Sequence, residues 1–588
     1  MDIHLSQFYG TNHVPSDTEL LEIERLLAPH SARLSQLEKD LEEAEAKVSR
    51  LKKEREDVLR VIKPLKSLSS LIRRFPREVM ELIFMHSIPP TASRRSNLSI
   101  CHAPMVLLRV CKLWREIALT TPQLWASVEL STVPHLYDSS GNALSVKQQQ
   151  RVALFLEQFD RWLELSESYP LSISARGPPF DPGDITTQSL ASKVAIHSRR
   201  WESIDFDISE RLVFPFTGIV AEALPTLKYA RFHAYSFSFS AGDSPNFLDI
   251  LTAPNLKGLQ IQVAQSCHGI SNMPINWTNL THLSLDGSHM YLQDLPSQNV
   301  QLTANEMLPV LNKCRNLRIL SLLLISTRDP LPEPEPQLEV TLSKLEALNA
   351  AGCRLQIHHL LQSIETPSIR QVNYQLFHKS SLPAGELPLS LAPPLKSFLE
   401  RYGNQIEVLA VNLPTVSRED LQSWLECAPA LKQLTLGEEL QFAPLLPPLL
   451  RVSIDHEREF DDSCIGLLTP NQNHPYLCPN LKIFRCSMKA RISIDTILAF
   501  LKARSDPLLV GNDRIIEEVT IHQLPYDAPF GDSTDAEDGR FESIREAGVR
   551  LSFRKSYYYQ FKPEVAGMQA DISAPGFGPG YGVDFNLY

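Results

Sequence analysis

Twelve times from Trp201 onward, an apolar residue is followed by two residues, a second apolar residue, one residue and a third apolar residue. The pattern reads WESIDF at Trp201, LKYARF at Leu227, LKGLQI at Leu256, LTHLSL at Leu280, LRILSL at Leu317 and LEALNA at Leu345. It continues as IRQVNY at Ile369, IEVLAV at Ile406, LKQLTL at Leu431, LLRVSI at Leu449, LKIFRC at Leu481 and IEEVTI at Ile516. Consecutive starts lie 18 to 37 residues apart. The last two apolar residues of each copy share one face of a strand, because side chains alternate along it. Helix-like pieces precede many copies, among them NEMLPVLNKC, HHLLQSI, LKSFLERYG, REDLQSWLECA and SIDTILAFLKAR. A single strand-plus-helix unit cannot bury its apolar side alone, so such units must stack.

This periodicity resembles that of leucine-rich repeats and predicts an α/β solenoid over residues 145–560, with a strand on one face of each unit and a helix on the other. Proline-rich insertions, TRDPLPEPEPQ and LPAGELPLSLAPP, read as loops between units. A plain α/β domain is the alternative. No GxGxxG or GxxxxGK[ST] glycine loop is present, so neither version carries a nucleotide-binding signature. RLSFRKS reads as a last strand. The Gly- and Pro-rich segment 562–588 and the first 18 residues read as disordered.

Between Leu20 and Leu65 the apolar residues keep a period of seven. One seam is Leu20, Leu27, Leu34, Leu41, Val48, Arg55 and Ile62; the other is Ile23, His30, Leu37, Ala44, Leu51, Val58 and Leu65. Twelve of these fourteen positions are apolar, and charge is dense between them, as in a coiled-coil helix over residues 19–66. Pro29 is expected to break it, with Ser31 capping a new helix that runs to about Lys63 and spans roughly 50 Å. The seam predicts self-association, pairing with a partner helix, or a helix folded back on its own domain.

Two further helices follow. Pro76 opens FPREVMELIFMHSIPP, with Glu78 in the first turn, and Pro89-Pro90 stops it. A polar loop leads to VLLRVCKLWREIALTTPQLWASV, where Leu107, Val110, Cys111, Trp114, Ile117 and Ala118 recur at helical spacing. That helix is expected to end near Thr120, and Thr121-Pro122 restarts the chain with Leu124 and Trp125. Cys111 reads as a packed position of the apolar stripe. Trp125 is followed by KQQQRVALFLEQFDRWLELSESYP, a helix with Val152, Phe155, Leu156, Phe159, Trp162 and Leu163 on one face, and by the strand LSISA.

The order FPREVMELIF, VCKLWREIA, PQLW resembles an F-box over residues 70–130, the adaptor-binding helical module of Skp–cullin–F-box ubiquitin ligases. More narrowly it is similar to the F-box-like proteins of mushroom-forming fungi, which carry a short coiled coil, a proline-led IF helix, an AP-xx-LL-x-VC-x-xW-R helix and a TP-x-LW ending. Here those elements are Ile83-Phe84, Ala103-Pro104, Leu107-Leu108, Val110-Cys111, Trp114-Arg115, Thr121-Pro122 and Leu124-Trp125. The chain departs from the pattern with Phe75 where Leu is commoner, and with APMVLL in place of an acidic–Leu pair. The resemblance implies adaptor contacts by Phe75, Pro76, Val79, Ile83, Phe84, Leu108, Val110, Cys111, Trp114, Leu124 and Trp125. It implies a non-enzymatic substrate receptor, its partners a Skp-type adaptor, a cullin ligase and a protein target held by the solenoid. The fold class is then α+β and multi-domain: a long coiled-coil helix, a small all-α F-box and an α/β leucine-rich-repeat-like solenoid.

A net charge of −11 argues against a general nucleic-acid or anionic-membrane binder. No run approaches 18 apolar residues, and the N-terminus lacks a basic region followed by an apolar core, so neither a spanning helix nor a signal peptide is expected. Nine cysteines without a CxxC pair suggest a reducing compartment, cytoplasmic or nuclear. No cofactor is expected. His358-His359 near Cys353, and Asp535, Glu537 and Asp538, lack the spacing of zinc or EF-hand sites, so no metal is expected either. Two competing readings are a scaffold that dimerises through Leu34–Leu65, and a hydrolase in the C-terminal region marked by a Ser/His/Asp cluster.

Overall fold

The computed structural model describes residues 10–88, 103–129, 146–175, 192–208, 219–234, 237–238, 246–263, 267–268, 270–286, 302–324, 339–352, 354–376, 394–412, 418–437, 462–470, 477–487, 494–511, 515–523, 541–546 and 548–555. It divides into two compact units, residues 1–82 and 83–588.

The first unit is dominated by one helix, α1 (Asp17–Leu68, 52 residues). Ser16 and Glu19 begin it. The Glu19 carboxylate accepts the backbone N–H of Ser16 at 2.8 Å and its hydroxyl at 2.8 Å, the reciprocal half of a capping box. These bonds, the backbone one first, hold the Glu19 carboxyl below its ordinary range. The expected break at Pro29 does not occur: α1 runs through Pro29 and Pro64, and Ser31 lies inside it. Proline removes one N–H and crowds the carbonyl four residues back, a local cost. The helix-favouring residues on both sides of Pro29 outweigh it. Helix α2 (Arg77–Ser87) then begins one residue after Pro76, and the boundary between the two units falls within it.

The second unit contains α3 (Lys112–Leu119), a 3-10 turn at Pro122–Trp125, and α4 (Val146–Leu165). It also contains a 14-stranded sheet. The first seven strands are β1 (Ser127–Glu129), β2 (Leu171–Ala175), β3 (Trp201–Ile208), β4 (Tyr229–Ala234), β5 (Gly258–Val263), β6 (His282–Asp286) and β7 (Ile319–Leu324). The rest are β8 (Ala347–Gly352), β9 (Gln371–Leu376), β10 (Val408–Asn412), β11 (Gln433–Gly437), β12 (Ile483–Ser487), β13 (Glu518–Gln523) and β14 (Arg550–Lys555). All neighbouring pairs are parallel, and the order across the sheet follows the sequence without reversal. Eleven of the twelve repeated motifs are strands of this sheet; LLRVSI at Leu449 lies outside the described residues, as does TRDPLPEPEPQ. The predicted helices appear between strands as α5 (Ala304–Leu311), α6 (Arg354–Ser363), α7 (Pro394–Tyr402), α8 (Arg418–Cys427) and α10 (Ile494–Ser505), with α9 (Asp462–Leu468) before the last of these.

Wherever the three apolar residues of a motif are described, the first and the two on the strand are buried. Leu256, Leu259 and Ile261 are at most 3% exposed, and Leu431, Leu434 and Leu436 at most 1%. Each such leucine contributes about 1.5–3 kcal/mol by leaving water. Three recurring polar devices fix the spacing between units. First, the residue just before the motif binds back to the previous unit. Asn255 Nδ2 donates to Pro225 O at 2.7 Å, Asn279 to Pro254 O at 3.0 Å, Asn316 to Thr278 O at 2.8 Å and Asn480 to Pro429 O at 3.3 Å, while the Ser368 hydroxyl donates to Ser343 O at 2.7 Å. Second, the residue just after the motif's first apolar position forms ion pairs across strands. Lys228–Glu202 lies at 2.7 Å, Arg318–Glu346 at 2.8 Å, Lys482–Glu517 at 2.8 Å, and Glu407 sits between Arg370 (3.3 Å) and Lys432 (2.9 Å). Third, an arginine caps the C-terminal carbonyls of the preceding helix. Arg200 binds the Ser166 and Tyr169 carbonyls after α4 at 3.1 and 3.0 Å, Arg401 of α7 binds Leu361 O and Ile364 O at the end of α6, and Arg504 of α10 binds Leu468 O at the end of α9 at 2.8 Å.

Candidate protein-interaction site

The eleven residues implied by the F-box resemblance separate sharply by burial. Phe84, Leu124 and Trp125 are 0, 0 and 2% exposed. They belong to the core, with next to no accessible area. Phe84 packs against the half-buried Trp114, with ring centroids 4.9 Å apart and planes tilted by 58°. Trp125 donates its indole N–H to Ala118 O at 2.8 Å and meets Trp162 of α4 edge-on at 4.8 Å, while Trp162 donates to Trp125 O at 2.9 Å. Phe159, Trp162 and Leu163 of α4 are buried as its apolar face requires; the side chains of Val152 and Phe155 lie outside the description.

The remaining residues reach solvent. In the first unit Phe75, Pro76 and Val79 are exposed. In the second, Ile83, Val110 and Cys111 are exposed and Leu108 is half-buried. Cys111 is not a packed stripe position. α3 starts only at Lys112, Cys111 is its N-cap, and the sulfur accepts the Trp114 N–H at 3.5 Å. The preceding residues Leu107–Arg109 form a 3-10 turn held by Arg115, whose Nε donates to Leu108 O at 2.8 Å. The break in helical phase turns Val110 and Cys111 outward while Leu107, Ile117 and Ala118 stay buried. Leu113 (52% exposed), Val106 (37%) and Leu119 (37%) join Val110 (54%) as exposed apolar side chains. Leu113, Val106 and Leu119 are not among the apolar stripe positions that helical spacing singles out.

A second surface is the face of the sheet opposite the motif leucines. In one register row lie Ser174, Asp205, Arg231, Gln260, Ser284, Ser321, Asn349, Asn373, Ala410, Thr435, Arg485 and Thr520. Eleven of those twelve are polar, although most are buried by their neighbours. Asn373 donates to Asn349, and Asn349 donates to Ser321 Oγ at 2.7 Å. Arg231 reaches Asp205 at 3.5 Å, and Arg485 holds Glu518 at 2.7 Å. Gln260 Oε1 and Gln375 Oε1, buried on this face, have no hydrogen-bond partner among the described residues.

Groups that could act as nucleophiles are suppressed where they are buried. Desolvation pushes the Cys314 and Cys478 thiols up to about 12 each, so both stay protonated. His282, desolvated on β6 and near Arg318, is held below its ordinary range, as are His197 and His359. Among the described residues no three of His, Cys, Asp and Glu gather as a metal site. Asp535, Glu537, Asp538 and Cys353 lie outside those residues. No described helix is long and apolar enough to cross a membrane.

A scan against protein-family models returns no match, and a search of curated proteins returns none either.

Proposed function

We propose that this chain is the substrate-recognition subunit of a Skp–cullin–F-box type ubiquitin ligase, with catalysis supplied by other subunits. One observation carries the reading. The module around α3 has a buried apolar core that includes Phe84, Leu124 and Trp125, yet holds Val110 and Leu113 more than half exposed beside a half-buried Trp114. Apolar side chains in that number on so small a module fit a surface that a partner covers. The proposed adaptor-facing set of the second unit is accordingly Ile83, Leu108, Val110, Cys111, Leu113 and Trp114, all of which reach solvent; Phe75, Pro76 and Val79 are a separate exposed set in the first unit.

The sheet is the target-holding element in this reading, as a leucine-rich-repeat-like solenoid. Strands that add to the sheet strictly in chain order, with crossovers of one hand, leave every helix on the same side. Among the described residues the other side is then left for a target, and the row from Ser174 to Thr520 keeps it polar, with Asp205, Arg231 and Arg485 as its members that reach solvent. A ligase of this kind works in the cytoplasm or nucleus, and the charge of −11 suits a protein target better than nucleic acid.

Co-purification of the full chain with the Skp-type adaptor tests the proposal. Val110→Asp and Leu113→Asp place charge on exposed positions and leave the core intact, so each is expected to abolish capture by the adaptor while the melting temperature stays at that of the parent chain. Failure of the parent chain to capture adaptor, beside an F-box protein that does, refutes it.

A further inference from the structure

Helix α1 exposes both of its apolar seams. Leu34, Leu37, Leu41, Val48, Leu51, Val58, Ile62 and Leu65 are 36–62% exposed, and no proline break interrupts them. The occupant of this face can be read from the charges beside it. Arg33, Asp40, Lys47 and Glu54 precede the first seam, and Glu38, Glu45 and Lys52 follow the second. These are the positions that select partner and orientation in paired helices.

We propose that α1 pairs with α1 of a second copy of this chain in antiparallel orientation, with Val48 opposite Leu51 at the centre. Leu34 then meets Leu65 of the second copy, Leu41 meets Val58, and Leu37 meets Ile62. Each contact occurs twice by symmetry. Arg55, the charged residue on the seam, falls opposite Ala44, whose small side chain leaves room for the arginine stem to reach water. On the flanks Glu45 meets Lys52 and Lys47 meets Glu54, again twice each. Glu38 and Asp40 meet Leu59 and Val61, so no like charges oppose one another. A parallel, in-register pair fares worse: Asp40 faces Glu45 and Lys47 faces Lys52, against a single attractive pair, Arg33 with Glu38. Sliding the antiparallel pair by one heptad sets Glu45 on Glu45 and Lys47 on Lys47. Each copy would carry its own adaptor- and target-binding surfaces, but the pairing does not depend on them.

Sedimentation equilibrium of the full chain, 66.3 kDa, tests this. The parent chain is expected to show a monomer–dimer equilibrium and Leu41→Glu, at an exposed position, a monomer. Glu45→Lys is expected to weaken the dimer about tenfold, since two attractive pairs become repulsive, and Glu45→Lys with Lys52→Glu to restore it. In a parallel dimer Glu45→Lys would relieve the clash with Asp40 and tighten association. A parent chain that stays monomeric across the accessible concentration range overturns the proposal. So does a dimer indifferent to Leu41→Glu, or one that Glu45→Lys leaves unchanged or tightens.

Discussion

Replacing Arg504 by Met should open the last part of the sheet locally. Arg504 is 0% exposed and donates Nε to Leu468 O at 2.8 Å, Nη1 to Cys478 O at 2.9 Å and Nη2 to Leu477 O at 2.8 Å. Met fills the same length with apolar atoms but supplies no donor. The Cys478 carbonyl keeps a second bond, from the Leu481 N–H at 3.1 Å, so the Leu468 and Leu477 carbonyls bear the loss. A stranded buried acceptor costs about 1–3 kcal/mol. Relief from burying the guanidinium offsets part of this, leaving a net loss of about 3 kcal/mol. Cys478 adds to the sensitivity, because its left-handed φ of 52° is held in place through the same carbonyl. Global unfolding of a chain this size is not two-state, so the readout is hydrogen exchange resolved by peptide. Exchange in α9, α10 and β12 should accelerate by about a hundredfold, that in α6 should stay as in the parent chain, and Arg504→Lys should fall between. Exchange in α9 and α10 within about twofold of the parent would refute the reasoning that this arginine ties the units together.

Trp125→Ala should cost about 3–5 kcal/mol, since it empties a fully buried site, strands Ala118 O and removes the ring against Trp162; loss of the near-ultraviolet circular dichroism of the packed indoles would report it. Asn349→Ala should cost about 1–3 kcal/mol, because the buried Asn373 amide loses its acceptor and Ser321 a donor; a lowered melting temperature checks this. His282 titrates at its ordinary value near 6.5 when unfolded and below it when folded, so its contribution is complete above that pH and is lost as pH falls through 6.5 toward the depressed value. The melting temperature should therefore drop between about pH 7 and pH 5, and His282→Gln should flatten part of that drop, with His197 and His359 acting in the same direction.

The strands were legible because their signal is local: three apolar residues at fixed spacing and a turn before them specify one strand wherever they occur. Leu256, Leu259 and Ile261 need no knowledge of the rest of the chain to face inward. The bonds between units were not legible in the same way. Asn255, Asn279, Asn316 and Asn480 stand one residue before the motif, a position at which loop asparagines usually cap their own turn, whereas here each reaches back to the preceding unit. Arg401 and Arg504 sit near the ends of their own helices, where sequence logic assigns them to their own dipoles, yet they serve the preceding helix. Around Trp114 helical spacing put Val110 and Cys111 on the packed stripe of one helix, whereas both precede α3 and are exposed. Periodicity assumes one continuous helix, and the 3-10 turn at Leu107–Arg109 shifts its phase before α3 begins. At Pro29 the opposite error arose, a break expected where the flanking helix was strong enough to continue.

The most direct test of the central claim is capture of the Skp-type adaptor by the purified full chain. The account predicts stoichiometric binding that Val110→Asp and Leu113→Asp each abolish without lowering the melting temperature. No binding by the parent chain, or binding that both substitutions leave intact, would contradict it.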